Sequence, residues 1–423
     1  MLLYCENITS RVQWIITILL GKEAVVTSGR DEFISYPHSK INYSNNRIVE
    51  TEFFIQPCGL LFQQNIQQQN IQCFDWNGLP VFFKTGGDIP FDIFSAAFYL
   101  LSRYEEYLPH DKDEYGRYAH QNSIAYQNNF LHLPLVNLWM KKWRERFHFP
   151  VHHSSFTFIP TYDIDIAYAY LHQPVWKNVF GFYRDLLKAD FDKVAERGNV
   201  YSGRAKDPFD VFDWLNNLHV RLNVQPVYFL LTIIERGKYD KNLTVKSKAL
   251  QKLYQRLGKE NETGIHPSWR SGEKDGLLQQ EINVLQNVLQ KPIEKSRQHY
   301  LRFTIPQTFR QLIVAGIKEE YSMGYGTING FRASYCMPYF WYDLEKEQST
   351  SLRLHPFCFM DANAFFEEKK SPNQAFDTLQ SMFNMVRSVN GEFVCLFHNH
   401  FLTQQPQWVE WKNGYENFLL NNC

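Results

Sequence analysis

The chain has 423 residues, too many for one ordinary hydrophobic core, so two domains are the natural expectation. Its 44 Lys and Arg balance its 44 Asp and Glu, which excludes a global field drawing in nucleic acid or an anionic membrane. Seven scattered cysteines, an odd count with no C-x-x-C pair, exclude a disulfide scaffold and a cysteine zinc knuckle and suit a reducing compartment.

The apolar run "WIITILL" (14–20) is too short to span a bilayer and follows Glu6 and Arg11 without a small-residue cleavage pattern. "TSRVQWIITILLG" (9–21) therefore reads as an amphipathic helix capped by Thr9 or Ser10 and stopped by Gly21, and the expected location is cytoplasmic. "AVVTSG" (24–29) and "VETEFFIQP" (49–57) read as strands, and "IQCFDWNGLPVFF" (71–83) as a hairpin turning at Asn77-Gly78. The polar "QQNIQQQNIQ" (63–72) reads as a surface loop. "PFDIFSAAFYLLSRYEEYL" (90–108) has helical spacing between Pro90 and Pro109. Its charged end, with Glu105 and Glu106, reads as a solvated helix end or an interdomain contact rather than a catalytic pair. A further amphipathic helix, "FLHLPLVNLWMKKWRERF" (130–147), closes an α/β unit spanning 1–150.

From 151 the pattern changes. Strand-like runs end abruptly in polar residues at "SFTFIPTYDID" (155–165), "QPVYFLLTI" (225–233), "NETGIHPSW" (261–269), "IEKSRQHYLRF" (293–303), "FRASYCMPYF" (331–340) and "EFVCLFHNHF" (392–401). Helical stretches such as 208–223 and 276–290 separate them, which predicts parallel strands in an open sheet or a barrel. Chemistry in such folds gathers at the carboxyl ends of the strands.

Asp163 and Asp165 sit two apart, so an extended strand turns both carboxylates to one side. A cation on one leaves the other free to take a proton from water; a helix cap accounts for the pair equally well. His266 offers an imidazole behind Gly264, a residue that permits close backbone approach. Arg297 and His299 share the next strand end, and His398 and His400 close the last one.

This order resembles the NodB-type polysaccharide deacetylases, carbohydrate esterase family 4, whose series runs T-x-D-D, H-[ST]-x-x-H, R-x-P and L-x-H. "TYDID" (161–165), "HPSWR" (266–270), "RQHYLRF" (297–303) and "LFH" (396–398) take those places. Ile164 separates carboxylates that are adjacent in the family, and Arg270 stands where its second histidine would fall. "FDIFSAAFYLLSRYEEYLPHDKDEYGR" (91–117) is similar to an uncharacterised domain fused to such deacetylases in Bacteroidetes proteins.

The resemblance implies an α/β chain: an irregular (β/α) barrel of NodB type over 151–423, preceded by a smaller α/β domain over 1–150. It implies a hydrolase that removes acetyl groups from an N-acetylated sugar or polysaccharide by a metal-activated water. Asp165, His266 and His299 would hold a divalent cation, zinc by the mixed N/O ligand set, with His400 the alternative to His299. Asp163 would be the general base, Arg297 (or Arg332) its orienting partner, and His398 the general acid. Trp269, Arg332 and Tyr335 would bind the sugar. The implied partner is a carbohydrate, without nucleic acid or membrane insertion, and the oligomeric state stays open. Two other readings remain: an inactive carbohydrate-binding protein on the same fold, and a glycosyltransferase whose "DID" holds a metal–nucleotide sugar. A haloacid-dehalogenase-type phosphatase would need Thr or Val at 167, which is Ala167.

Overall fold

The computed structural model describes residues 1–147 and 155–423; the boundary expected at 150/151 lies outside them. The N-terminal part carries a parallel sheet of order β2-β1-β3-β4, formed by β1 (Leu2–Tyr4), β2 (Val25–Thr27), β3 (Lys40–Tyr43) and β4 (Phe53–Ile55). The expected hairpin is β5 (Phe74–Trp76) and β6 (Leu79–Val81), with Asn77 and Gly78 at φ 54° and 78°, the left-handed pair a tight two-residue turn requires. Helix Ser10–Leu20 starts where Thr9 accepts the Val12 N–H and stops at Gly21, φ 84°.

The helix expected over 90–108 is shorter. It runs Ile93–Leu101, breaks at Arg103 (φ 55°), and resumes as a single turn, Tyr104–Tyr107. The Arg103 guanidinium bonds Glu105 and Glu106, 2.8 Å each, and the distant Arg332 carbonyl, so local ion pairs and a long-range hydrogen bond override helical propensity there.

The larger sheet has nine strands: β7 (Thr157–Ile164), β8 (Val227–Thr232), β9 (Glu262–Pro267), β10 (Lys295–Ser296), β11 (Glu319–Glu320), β12 (Tyr339–Asp343), β13 (Gln348–Leu354), β14 (Phe359–Met360) and β15 (Glu392–His398). Their order is β12-β13-β11-β10-β9-β8-β7-β15-β14, all parallel except β12 against β13. The expected barrel is therefore not closed. Strand β14 has only two residues, and the free edge of β12 is taken by the N-terminal helix: Trp14 Nε1 donates to the Phe340 carbonyl (2.9 Å), Ser10 bonds Tyr342 (2.7 Å), and Arg11 pairs with Glu347.

The strand expected at 331–340 begins only at Tyr339. Before it, the main chain is committed to the N-terminal part: Phe331 N–H to the Leu131 carbonyl (2.7 Å), Ser334 carbonyl to Val136 N–H (3.0 Å), and Cys336 N–H to Asn137 (3.0 Å). One buried apolar cluster accordingly runs through both parts. Among the described residues no helix is long and apolar enough to cross a membrane.

Candidate active site

Strand β7 delivers the two carboxylates. Thr161 and Asp163 share one face, while Tyr162 and Ile164 enter the apolar core on the other, where Tyr162 stacks on Tyr228 and bonds Tyr415. Asp165 follows the last strand residue and stays on the Asp163 side, so the intervening Ile164 is a core residue and both acids reach one cleft. His266 lies at the end of β9, and Gly264 before it lets the strand pack closely: a Cβ there would meet the Lys295 carbonyl and the Phe229 ring at 2.7 Å.

Beyond the two-residue β10 the chain turns sharply, with Tyr300 and Leu301 at φ 58° and 51°. That turn carries the His299 ring into the cleft, 5.0 Å from the His266 ring. Arg270, in the position where a second histidine was due, is half-exposed and 3.4 Å from Glu235.

Asp165, His266 and His299 are the one group among the described residues able to hold a metal, with candidate donor atoms all within 4.8 Å of one another. The imidazoles are oriented from behind: His266 Nδ1 lies 2.6 Å from the Arg297 carbonyl and His299 Nδ1 3.1 Å from Asp240 Oδ1. Both Nε2 atoms face Asp165, at 3.2 Å (His266 to Oδ1) and 3.7 Å (His299 to Oδ2). Asp165 Oδ1 is buried without an aligned hydrogen-bond donor. Two imidazole nitrogens, each backed by an outer partner, and a carboxylate form a donor set that fits a divalent cation. Burial alone would raise the Asp165 carboxyl, but His299 and His266 hold it well below the usual range. Burial opposes charging His299, yet Asp165 and Asp240 raise it to about 9, so a cation there must displace a proton.

Asp163 is buried beside this group, 3.6 Å from His266 Nε2. Its Oδ1 accepts from Arg297 Nη1 (3.1 Å), which also bonds Thr161 Oγ1 (2.6 Å). Fully buried Arg297 is fixed further by the Tyr321 carbonyl (2.9 Å) and the Phe229 face (4.5 Å). His398, paired with Asp163 in register, has its Nε2 3.5 Å from Asp165 and its Nδ1 2.7 Å from Asp361. Burial would lower this imidazole, but Asp361 raises it to about 9. His400 lines the cleft outside the three-residue group, and burial, then His398, push it down to about 3.

The three residues expected to bind sugar do not line the cleft. Arg332 is buried against Glu106 at 2.8 and 2.6 Å. Burial alone would raise the Glu106 carboxyl, but Arg332 and Arg103 hold it at about 2, and Glu105 is buried against Arg103, so this segment is not a solvated helix end. Tyr335 is buried against Tyr339, and Trp269 sits behind Tyr239 and Tyr300 with Arg302 on its face (4.1 Å).

Several residues in or behind the cleft escape the sequence reading, Asp240, Asp361, Tyr115 and Arg117 among them. Asp240 and Asp361 orient the imidazoles from a loop and from behind a two-residue strand; only the apolar "FCFM" before Asp361 hints at a strand end. Tyr115 and Arg117 reach in from the N-terminal part, where Arg117 donates to the Tyr300 carbonyl (2.8 Å) and Tyr115 packs on Tyr300 and Tyr239. The cleft holds about 430 Å³.

Residues 1–149 match a family described as a family of unknown function, DUF7033. No curated protein matches the sequence. Among solved structures, a protein described as a polysaccharide deacetylase from Mycobacterium smegmatis is similar at 13% identity, covering 64% of this chain and 86% of its own, TM-score 0.40. The allantoinase PuuE is similar at 10% identity, covering 63% and 83%, TM-score 0.39. A polysaccharide deacetylase from Bacillus cereus is similar at 12% identity, covering 63% and 88%, TM-score 0.30.

Proposed function

We propose that the chain is a metal-dependent hydrolase that removes the acetyl group from an N-acetylated sugar. One observation carries this reading: Asp165, His266 and His299 converge on one point, flanked by Asp163 and His398, each locked by its own buried partner. Asp165, His266 and His299 would hold the cation, zinc by the donor types. When bound, it supplies polarisation of the acetyl carbonyl and a lower pKa for water.

The remaining steps belong to the chain. With Oδ1 engaged by Arg297, Asp163 keeps Oδ2 free and receives the proton of the attacking water as general base. His398, its Nδ1 held by Asp361 at 2.7 Å, would act as general acid and give a proton from Nε2 to the departing amine. Asp361 is a positioning residue. The rings of Tyr115, Tyr239 and Tyr300 offer apolar faces to a sugar. In this reading 1–150 is an α/β domain supplying one wall of the cleft and 151–423 the deacetylase-like domain.

Elemental analysis should find about one zinc per chain, and metal-loaded protein should release acetate from N-acetylglucosamine oligomers. Loaded protein that bound the oligomers without releasing acetate would instead be a binding protein on the same fold.

A further inference from the structure

The helical hairpin that follows the site is built inside out. Helix Val175–Leu187 turns Asn178, Gly181 and Asp185 inward, and Arg197 of the next helix, Phe191–Tyr201, bonds Asn178 (3.0 Å) and Asp185 (2.8 Å). Gly181 is where the two helices meet, since a Cβ there would lie 2.7 Å from Arg197 Nη2. The polar face is thus the buried one. The apolar face, Val175, Trp176, Val179, Phe180, Tyr183 and Leu187, is 49–86% exposed. It leaves on the order of 800 Å² of apolar side chain in water, above the roughly 300–600 Å² of the largest patch on a typical monomer.

Charge decides what covers it. At about 100° per residue, Lys177, Arg184 and Lys188 fall in one strip beside the apolar arc. The helix's one acid, Asp185, is turned inward to Arg197, although Arg184 also reaches it at 2.7 Å. Of the acids on or capping the second helix, Asp190 pairs with Lys193 and Glu196 bonds Tyr170 and Gln405, while Asp192 is exposed. A second copy packed through this face would bury the apolar residues but leave the cationic strip unmatched. An anionic lipid surface matches both, with Trp176 and Tyr183 suited to the headgroup boundary.

We propose that the hairpin docks the protein onto anionic bilayers, lying in the headgroup plane without crossing. The helix starts ten residues after Asp165, and Asp207 ties the connecting segment down through the N–H groups of Ala169, Tyr170 and Leu171. The hairpin is therefore reached directly from the carboxyl end of β7, the end that carries the cleft.

The test is co-sedimentation of the full chain with phosphatidylglycerol–phosphatidylcholine vesicles and with phosphatidylcholine alone. Binding to the anionic vesicles is expected, weakened at least about tenfold at high salt and in Lys177→Glu/Lys188→Glu, which keeps the apolar face. Phe180→Ser/Leu187→Ser should lose binding while melting like the wild type, since both side chains are exposed. Absence of binding to anionic vesicles, equal binding by both variants, or a dimer dissolved by Phe180→Ser/Leu187→Ser without any vesicle binding would overturn the proposal.

Discussion

Arg297 and His266 are joined through the main chain: the Arg297 carbonyl takes the His266 Nδ1 contact at 2.6 Å, while the Arg297 guanidinium holds Asp163 at 3.1 Å. One residue thus sets both the ligand face of an imidazole and the free oxygen of the neighbouring carboxylate. Under the proposed function, a change that leaves Arg297 in place can separate base catalysis from metal binding.

Asp163→Asn is such a change. Zinc content should stay near the wild-type value while deacetylation falls about 10²–10⁴-fold, the usual scale for a lost general base. Unchanged turnover would remove Asp163 from the mechanism.

Asp240 acts one step further out. Asp240→Asn should weaken zinc binding about 10–100-fold, as measured by competition with a chelator, because His299 loses the carboxylate that fixes its ring. His299→Ala should lose stoichiometric metal altogether.

Arg332 separates binding from architecture. Replacing it with Leu leaves Glu106 buried with Arg103 alone and should cost about 3–5 kcal/mol in denaturant unfolding. The variant's KM at a temperature where it stays folded should match the wild type, since Arg332 does not line the cleft.

Glu281 gives a pH signature. It is fully buried, one oxygen accepts the Ser268 N–H, the other has no partner, and burial raises its carboxyl to about 7. Between its unfolded value near 4.3 and about 7, the folded state binds more protons than the unfolded one, so stability declines as pH rises through that window. Glu281→Gln should flatten this part of the stability–pH curve, measured by urea unfolding at pH 5 and pH 8.

Much of this was legible in the sequence because it was local. The helix ending at Gly21, the Asn77-Gly78 hairpin and the strand ends at Asp163, His266 and His398 are carried by caps, turn residues and apolar runs. What was not legible depended on distant chain. The break at Arg103, the irregular 331–338 segment and the open sheet edge are each set by bonds between the first 150 residues and the last 100. The resemblance implies sugar-binding roles for Arg332 and Tyr335, yet both are buried and neither lines the cleft. Asp240 carries no sequence pattern, because a loop carboxylate becomes a partner only once strands bring an imidazole to it, and Asp361 has only the short apolar run before it.

Gly326 and Arg117 come from opposite parts of the chain and occupy the same space. A methyl group at 326 would lie 2.0 Å from the Arg117 guanidinium, the group that spans from the 110–118 loop to the Tyr300 carbonyl. The two positions form a lock and its key cut together. A chimera that joins this N-terminal part to a different C-terminal part keeps Arg117 on the Tyr300 carbonyl where the matching site carries glycine, and a larger residue there must push the guanidinium aside.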